Sequence, residues 1–178
     1  MMKHVQGKSH WSHRVYPAIV ALALVGGLSS CSSARGGQTA GAAASEVKSL
    51  PGISKSTDVY SNSSYSRFTK KNATLVVVTV DPDHRSEDTE ELVEFLIRVA
   101  WSVNDAKPNM ELMVTVKSTV PIDALAAARA AGWTSAHSLN NERSTVFVGL
   151  SEAKKRLGDW PGKVPETDGL LGTVTTSP

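Results

Sequence analysis

"ATLVVVTV", residues 73 to 80, is the stretch on which the fold turns. Six of its eight side chains are β-branched, and such side chains fit a pleated strand better than a helix. The run is too continuous for a half-exposed edge strand, so it is expected inside a sheet. Upstream, "STDVYSNSSYSRFTKKN" offers a strand near Asp58 to Asn62 and a second near Tyr65 to Thr69, with Lys70-Lys71-Asn72 as the turn of a hairpin. Downstream, "SEDTEELVEFLIRVAWSVN" opens on Ser86 as a capping residue and puts Leu92, Leu96, Val99 and Val103 on one helical face.

Working further outward, "MELMVTVKST" alternates Met110, Leu112, Val114 and Val116 with outward-pointing partners, which predicts a strand with one covered face. "PIDALAAARAAGW" reads as a short helix closed by Gly132. A hairpin turning at Asn140-Asn141 follows, with its second arm at Ser144 to Leu150, and then a helix from Ser151 to the stop at Gly158. Strand, helix, strand at residues 73 to 118 requires a crossover connection. The expected fold class is α+β: a two-layer sandwich with a mixed sheet and helices on one face, ferredoxin-like or related.

The opposite end of the chain carries an address. Lys3, Lys8 and Arg14 precede an apolar run from Val15 to Leu28, whose fourteen residues fall short of the roughly 20 that cross a bilayer as a helix. The run ends in Leu28-Ser29-Ser30-Cys31, and Cys31 is the only cysteine. This pattern resembles the lipobox of bacterial lipoproteins. The resemblance implies that the Cys31 thiol takes a diacylglyceryl group, that a lipoprotein signal peptidase recognising Leu28, Ser29 and Ser30 cuts before it, and that the protein sits lipid-anchored on the extracytoplasmic side of the cell membrane. Whether the new amine is also acylated stays open. No cofactor is implied beyond the covalent lipid.

The expected organisation is therefore a signal peptide at 1–30, a lipidated cysteine and flexible tether at 31–45, one α+β domain at 46–165, and a flexible tail at 166–178. The tether is assigned because "SSARGGQTAGAAAS" offers no aromatic or β-branched apolar side chain to bury. Removing three basic residues with the signal leaves 16 basic against 17 acidic groups, so no nucleic-acid footprint is expected. With its one thiol committed, the domain has no disulfide and depends on its core.

Candidate chemistry is sparse. Asp81, Asp83 and His84 in "DPDHRSED" could serve as acid and base, though the same residues suit a solvated turn into an acidic helix start. That segment departs from the calcium-loop template at Arg85 and Ser86, and no metal site is assigned. "SEVK" and "SEAK", at Ser45 and Ser151, match S-x-x-K without its companion elements. Trp101 and Trp133 read as core or boundary residues, whereas Trp160, in "GDWPGKVP", either clasps the domain or meets a partner. The expected function is a non-catalytic binding or scaffolding module for an envelope protein or polymer. The alternative is an envelope enzyme such as a cell-wall hydrolase using Asp81, Asp83 or His84.

Overall fold

The computed structural model describes residues 36–167, Leu170 and residues 174–176. Along the chain the elements are α1 (Ala40–Lys48), β1 (Asp58–Ser66), β2 (Thr69–Thr79), β3 (His84–Ser86), α2 (Thr89–Ser102), β4 (Leu112–Lys117), α3 (Ala124–Ala130), β5 (Thr145–Val148), α4 (Leu150–Leu157) and β6 (Val174–Thr176). β1, β2, β4 and β5 form a sheet in that order, while β3 and β6 form a separate two-stranded ladder. β2 pairs antiparallel with β1 and parallel with β4, and β4 pairs antiparallel with β5. The sheet is mixed, and the fold is α+β. Its parallel pair is joined through α2, because parallel neighbours cannot be linked by a tight turn.

Strand alternation decides which side chains meet the helices. On one face of the sheet lie Val59, Val76, Val78, Val80, Leu112, Val114, Val116, Val146 and Val148, all buried. Against them α2 lays Leu92, Leu96 and Val99, each fully buried, together with Ala124 and Ala128 of α3 and Ala43 and Val47 of α1. These residues form one core. Asp88 rather than Ser86 caps α2, its carboxylate accepting from the Glu91 N–H at 2.9 Å; Ser86 belongs instead to β3.

Several expected boundaries move, each for a physical reason. The tether was expected to run to residue 45, but a helix begins at Ala40, capped by the Thr39 hydroxyl. The missing large side chains are what permit it: Ala40, Ala43 and Ala44 are small enough to bring the α1 backbone close to the sheet. Ahead of it, Gln38 is buried and donates to both Glu46 and the Ser102 hydroxyl. Burial raises the Glu46 carboxyl above its ordinary value, with the Gln38 bond opposing that effect. The folded part therefore includes residues 36–45, ahead of Glu46.

At the other end, Leu170 and Val174 are buried and β6 pairs with β3, so residues 166–178 are not wholly a free tail. The first hairpin turns at Arg67-Phe68, not at Lys70 to Asn72, and β1 and β2 are correspondingly longer. The second hairpin keeps its turn: Asn140 and Asn141 both take positive φ, and His137 bridges Phe147. Gly132 closes α3 with φ 88° and Gly158 closes α4 with φ 84°, conformations that favour glycine. The signal peptide, the lipobox residues Leu28, Ser29 and Ser30, and Cys31 lie outside the described residues.

Candidate functional site

The predicted acid and base residues are brought together only in part. His84 Nδ1 lies 2.9 Å from Asp83 Oδ1, and this hydrogen bond is the chief reason the Asp83 carboxyl falls below its usual range. Asp81 uses its backbone to shape the turn: its N–H donates to Gly52 O and its carbonyl accepts from the His84 N–H. The Asp83 side chain is 78 % exposed, and the His84 ring lies against Gly52. An acid or base needs a substrate held within hydrogen-bond reach, yet two grooves on the molecule are lined by none of these three residues. Among the described residues no three His, Cys, Asp or Glu side chains are grouped as a metal site.

The larger groove, about 680 Å³, runs between α2, α4 and residues 162–166. Its wall carries an internal charge network. Glu94 meets Arg98 at 2.8 Å and Arg156 at 3.6 Å, and it accepts from the Trp133 indole N–H. The Arg156 guanidinium also lies 4.0 Å from the Trp133 ring centroid. These contacts fasten α2 and α4 to the turn that follows α3.

Trp160 takes the clasp position. It is half-buried against the core, and its indole N–H donates to Val103 O at 3.0 Å. Trp101 answers from below by donating to Gly158 O, while the Gly162 N–H donates to Trp101 O. A side chain at Gly162 would stand 2.6 Å from the Trp101 ring, so glycine allows this close approach. Trp101 and Trp133 are buried, as the apolar stripe before Trp101 and the place of Trp133 just after Gly132 imply.

The feature that remains without an internal role is the second face of the sheet. Pairing registers place Tyr60 opposite Leu75, Leu75 opposite Met113, and Met113 opposite Phe147. Residues directly opposite in a ladder share a face, so these four side chains form an apolar row across all four strands. His137 extends it: it bridges Phe147 and stacks on that ring with centroids 5.6 Å apart. His137 Nδ1 lies 3.2 Å from Ser135 O, an atom that can only accept, so Nδ1 carries hydrogen and Nε2 is left facing Glu111 at 3.5 Å. Beside this row run Asp58, Val77, Thr115 and Thr145, the two threonine hydroxyls being 2.9 Å apart.

Leu75, Val77, Met113 and Phe147 are half-buried and lie outside the buried core, Thr115 and Thr145 beside them are buried, and Tyr60 at the end of the row is 42 % exposed. Among the described residues no helix of the core packs on this row. β2 is interior by its pairing, as the valine run implies, but the apolar residues on its outward face are not needed to hold the helices. That outward row was the part the sequence concealed, since the valine run does not show which face a helix covers. The signal that could have found it is register, but a turn sets only Tyr60 opposite Leu75; Leu75–Met113 and Met113–Phe147 pair across connections that contain α2 and α3.

Comparison with known family models, curated proteins and solved structures finds no match for this chain.

Proposed function

We propose that the chain is a lipid-anchored bacterial lipoprotein whose folded part is a non-catalytic binding module, held on the outer side of the cell membrane through Cys31. The observation that carries the binding reading is the partly exposed apolar row Tyr60, Leu75, Met113, Phe147 on the face away from the core. Contiguous apolar surface of this kind marks an interaction site in soluble domains. Its aliphatic, thioether and aromatic groups supply area and dispersion rather than an array of hydrogen-bond donors, which suits an envelope protein better than a glycan. The anchor is supported by the lipobox resemblance at Leu28 to Cys31, and two acyl chains would give stable attachment where a single one holds only marginally.

The test is partner capture after in-cell crosslinking, with the full chain compared with Cys31→Ala, Met113→Lys and Lys155→Glu versions. Met113→Lys places a charge in the row, while Lys155 lies exposed on α4 at the far side of the sandwich. The expected result is a partner recovered with the parent and with Lys155→Glu, and lost with Met113→Lys. Equal recovery from all versions would reject the face. The mass of the N-terminal peptide from the membrane fraction checks the lipid separately: unmodified Cys31 there would reject the anchor.

A further inference from the structure

The hairpin of β1 and β2 extends past the rest of the sheet. β4 begins its pairing with β2 at Leu112 opposite Thr74, and the loop before β4 supports β2 only as far as Lys70, through Asn109 Nδ2. Beyond that the ribbon is two-stranded and ends in the Arg67-Phe68 turn. Its tip leaves Tyr65 76 % exposed and the Phe68 side chain fully exposed, beside Arg67, Lys70 and Lys71. Residues 59–80 contain no acidic residue at all. The domain as a whole is close to neutral, and this tip joins three cations to two solvent-facing rings. Nothing in the core uses it.

We infer that this tip is a second membrane contact, seated in the headgroup layer of an anionic phospholipid bilayer. Aromatic rings settle at the boundary between water and hydrocarbon, and lysine and arginine beside them meet lipid phosphates. The same end of the domain receives the chain from Cys31. Gly36 accepts from Asn104 Nδ2 and Gln38 exchanges backbone bonds with Ser102 and Asn104, while the continuation of that loop bonds Lys70 and Asn72 through Lys107 and Asn109. Cys31 is five residues before Gly36, and five residues span at most about 18 Å however they are arranged. The ribbon from Asn62 to Arg67 covers about 17 Å in the strand direction. The placement rests on the anchor proposed above: with Cys31 in the bilayer, the tip lies within reach of the same surface.

Single-stranded nucleic acid and anionic wall polymers also bind cations and rings, but neither is brought to this end of the molecule by anything in the chain. The bilayer is. Ion pairing at the tip is screened by salt, since the Debye length shrinks from about 10 Å at 0.1 M to about 3 Å at 1 M. The anionic-lipid contact should therefore weaken across that range.

The test uses the full chain carrying Ser66→Cys with an environment-sensitive nitrobenzoxadiazole label. It is reconstituted into vesicles of phosphatidylcholine alone or mixed with phosphatidylglycerol. The expected result is a blue shift of the label and its quenching by spin-labelled lipid in the anionic vesicles only. Both should be lost when Arg67, Lys70 and Lys71 are changed to Glu, or when Tyr65 and Phe68 are changed to Ser. These side chains lie outside the core, so an unchanged thermal midpoint shows that the variants fold. A label that stays in water in both vesicles overturns the proposal, as does a shift with a soluble polyanion that anionic vesicles fail to produce. Failure of the anchor is separate, because peptide masses then show label on Cys31. The tip is in that case read in a Cys31→Ser background by the same criteria.

Discussion

Glu152 illustrates how a single side chain ties two segments together. Its carboxylate accepts from the Thr134 and Ser135 backbone N–H groups and from both hydroxyls, joining the turn after α3 to the start of α4. Burial alone would raise its pKa, but those four donors outweigh burial and bring it down from 4.5 to about 2. A depressed carboxylate contributes stability that is fully present above its unfolded value and is lost as pH falls through its folded one. Unfolding free energy is therefore expected to drop between about pH 4.5 and 2 in the parent and to drop less in Glu152→Gln. Denaturant titrations at stepped pH check this. Glu94 makes a second test, since it serves Trp133, Arg98 and Arg156 at once. Glu94→Ala leaves a buried indole N–H without its acceptor and is expected to cost about 1–3 kcal/mol by urea unfolding, with Glu94→Gln costing less because it retains an acceptor.

Elements respond differently according to the room around them. Gly52 has φ 71°, and a side chain there would stand 2.5 Å from Val174 and 2.6 Å from the His84 ring. Gly52→Ala is expected to loosen the β3–β6 ladder, read as faster amide exchange at its paired backbone groups with the main sheet unaffected. Gly41, inside α1 with open space around it, is the opposite case: Gly41→Ala is expected to stabilise by up to about 1 kcal/mol. Apart from β3, the elements from β1 to α4 were legible in the sequence because valine runs, amphipathic stripes and glycine stops are local signals, although the expected first arm of the second hairpin forms only the His137–Phe147 bridge. α1 was not, since an alanine helix reveals itself only through what it packs on. β3 and β6 were not legible either: three-residue strands carry too little periodicity, and their partners lie far apart in sequence. The hairpin turn was misplaced because "RF" carries no ordinary turn signature, with Arg67 taking φ 55° in a conformation usually reserved for glycine or asparagine.

At the scale of the molecule, the two faces of one sheet differ. The helix-side face holds the fold, and the other face is the one proposed to meet a partner. Stability separates them: Leu96→Ala, fully buried beneath α2, is expected to cost about 2–5 kcal/mol by chemical unfolding. Leu75→Ala, half-buried on the outward row, is expected to cost less than Leu96→Ala. Of the candidate residues, Trp160 was legible only as a choice between clasp and partner contact, and its half-burial against the core with the bond to Val103 O gives the clasp. Asp81, Asp83 and His84 were legible as neighbours and as a solvated turn, whereas the two grooves, which none of them lines, were not legible, since a pocket is built by segments distant in sequence. His84→Ala and Asp83→Asn are accordingly expected to leave partner capture unchanged.

The most direct measurement is site-specific photo-crosslinking in cells, with a photoreactive residue placed in turn at Tyr60, Met113, Glu90 and Lys155 of the anchored chain. The binding account predicts one shared adduct from Tyr60 and Met113, and none from Glu90 or Lys155 on the helical layer. Adducts from the helical positions alone, or equal adducts from all four, would contradict it.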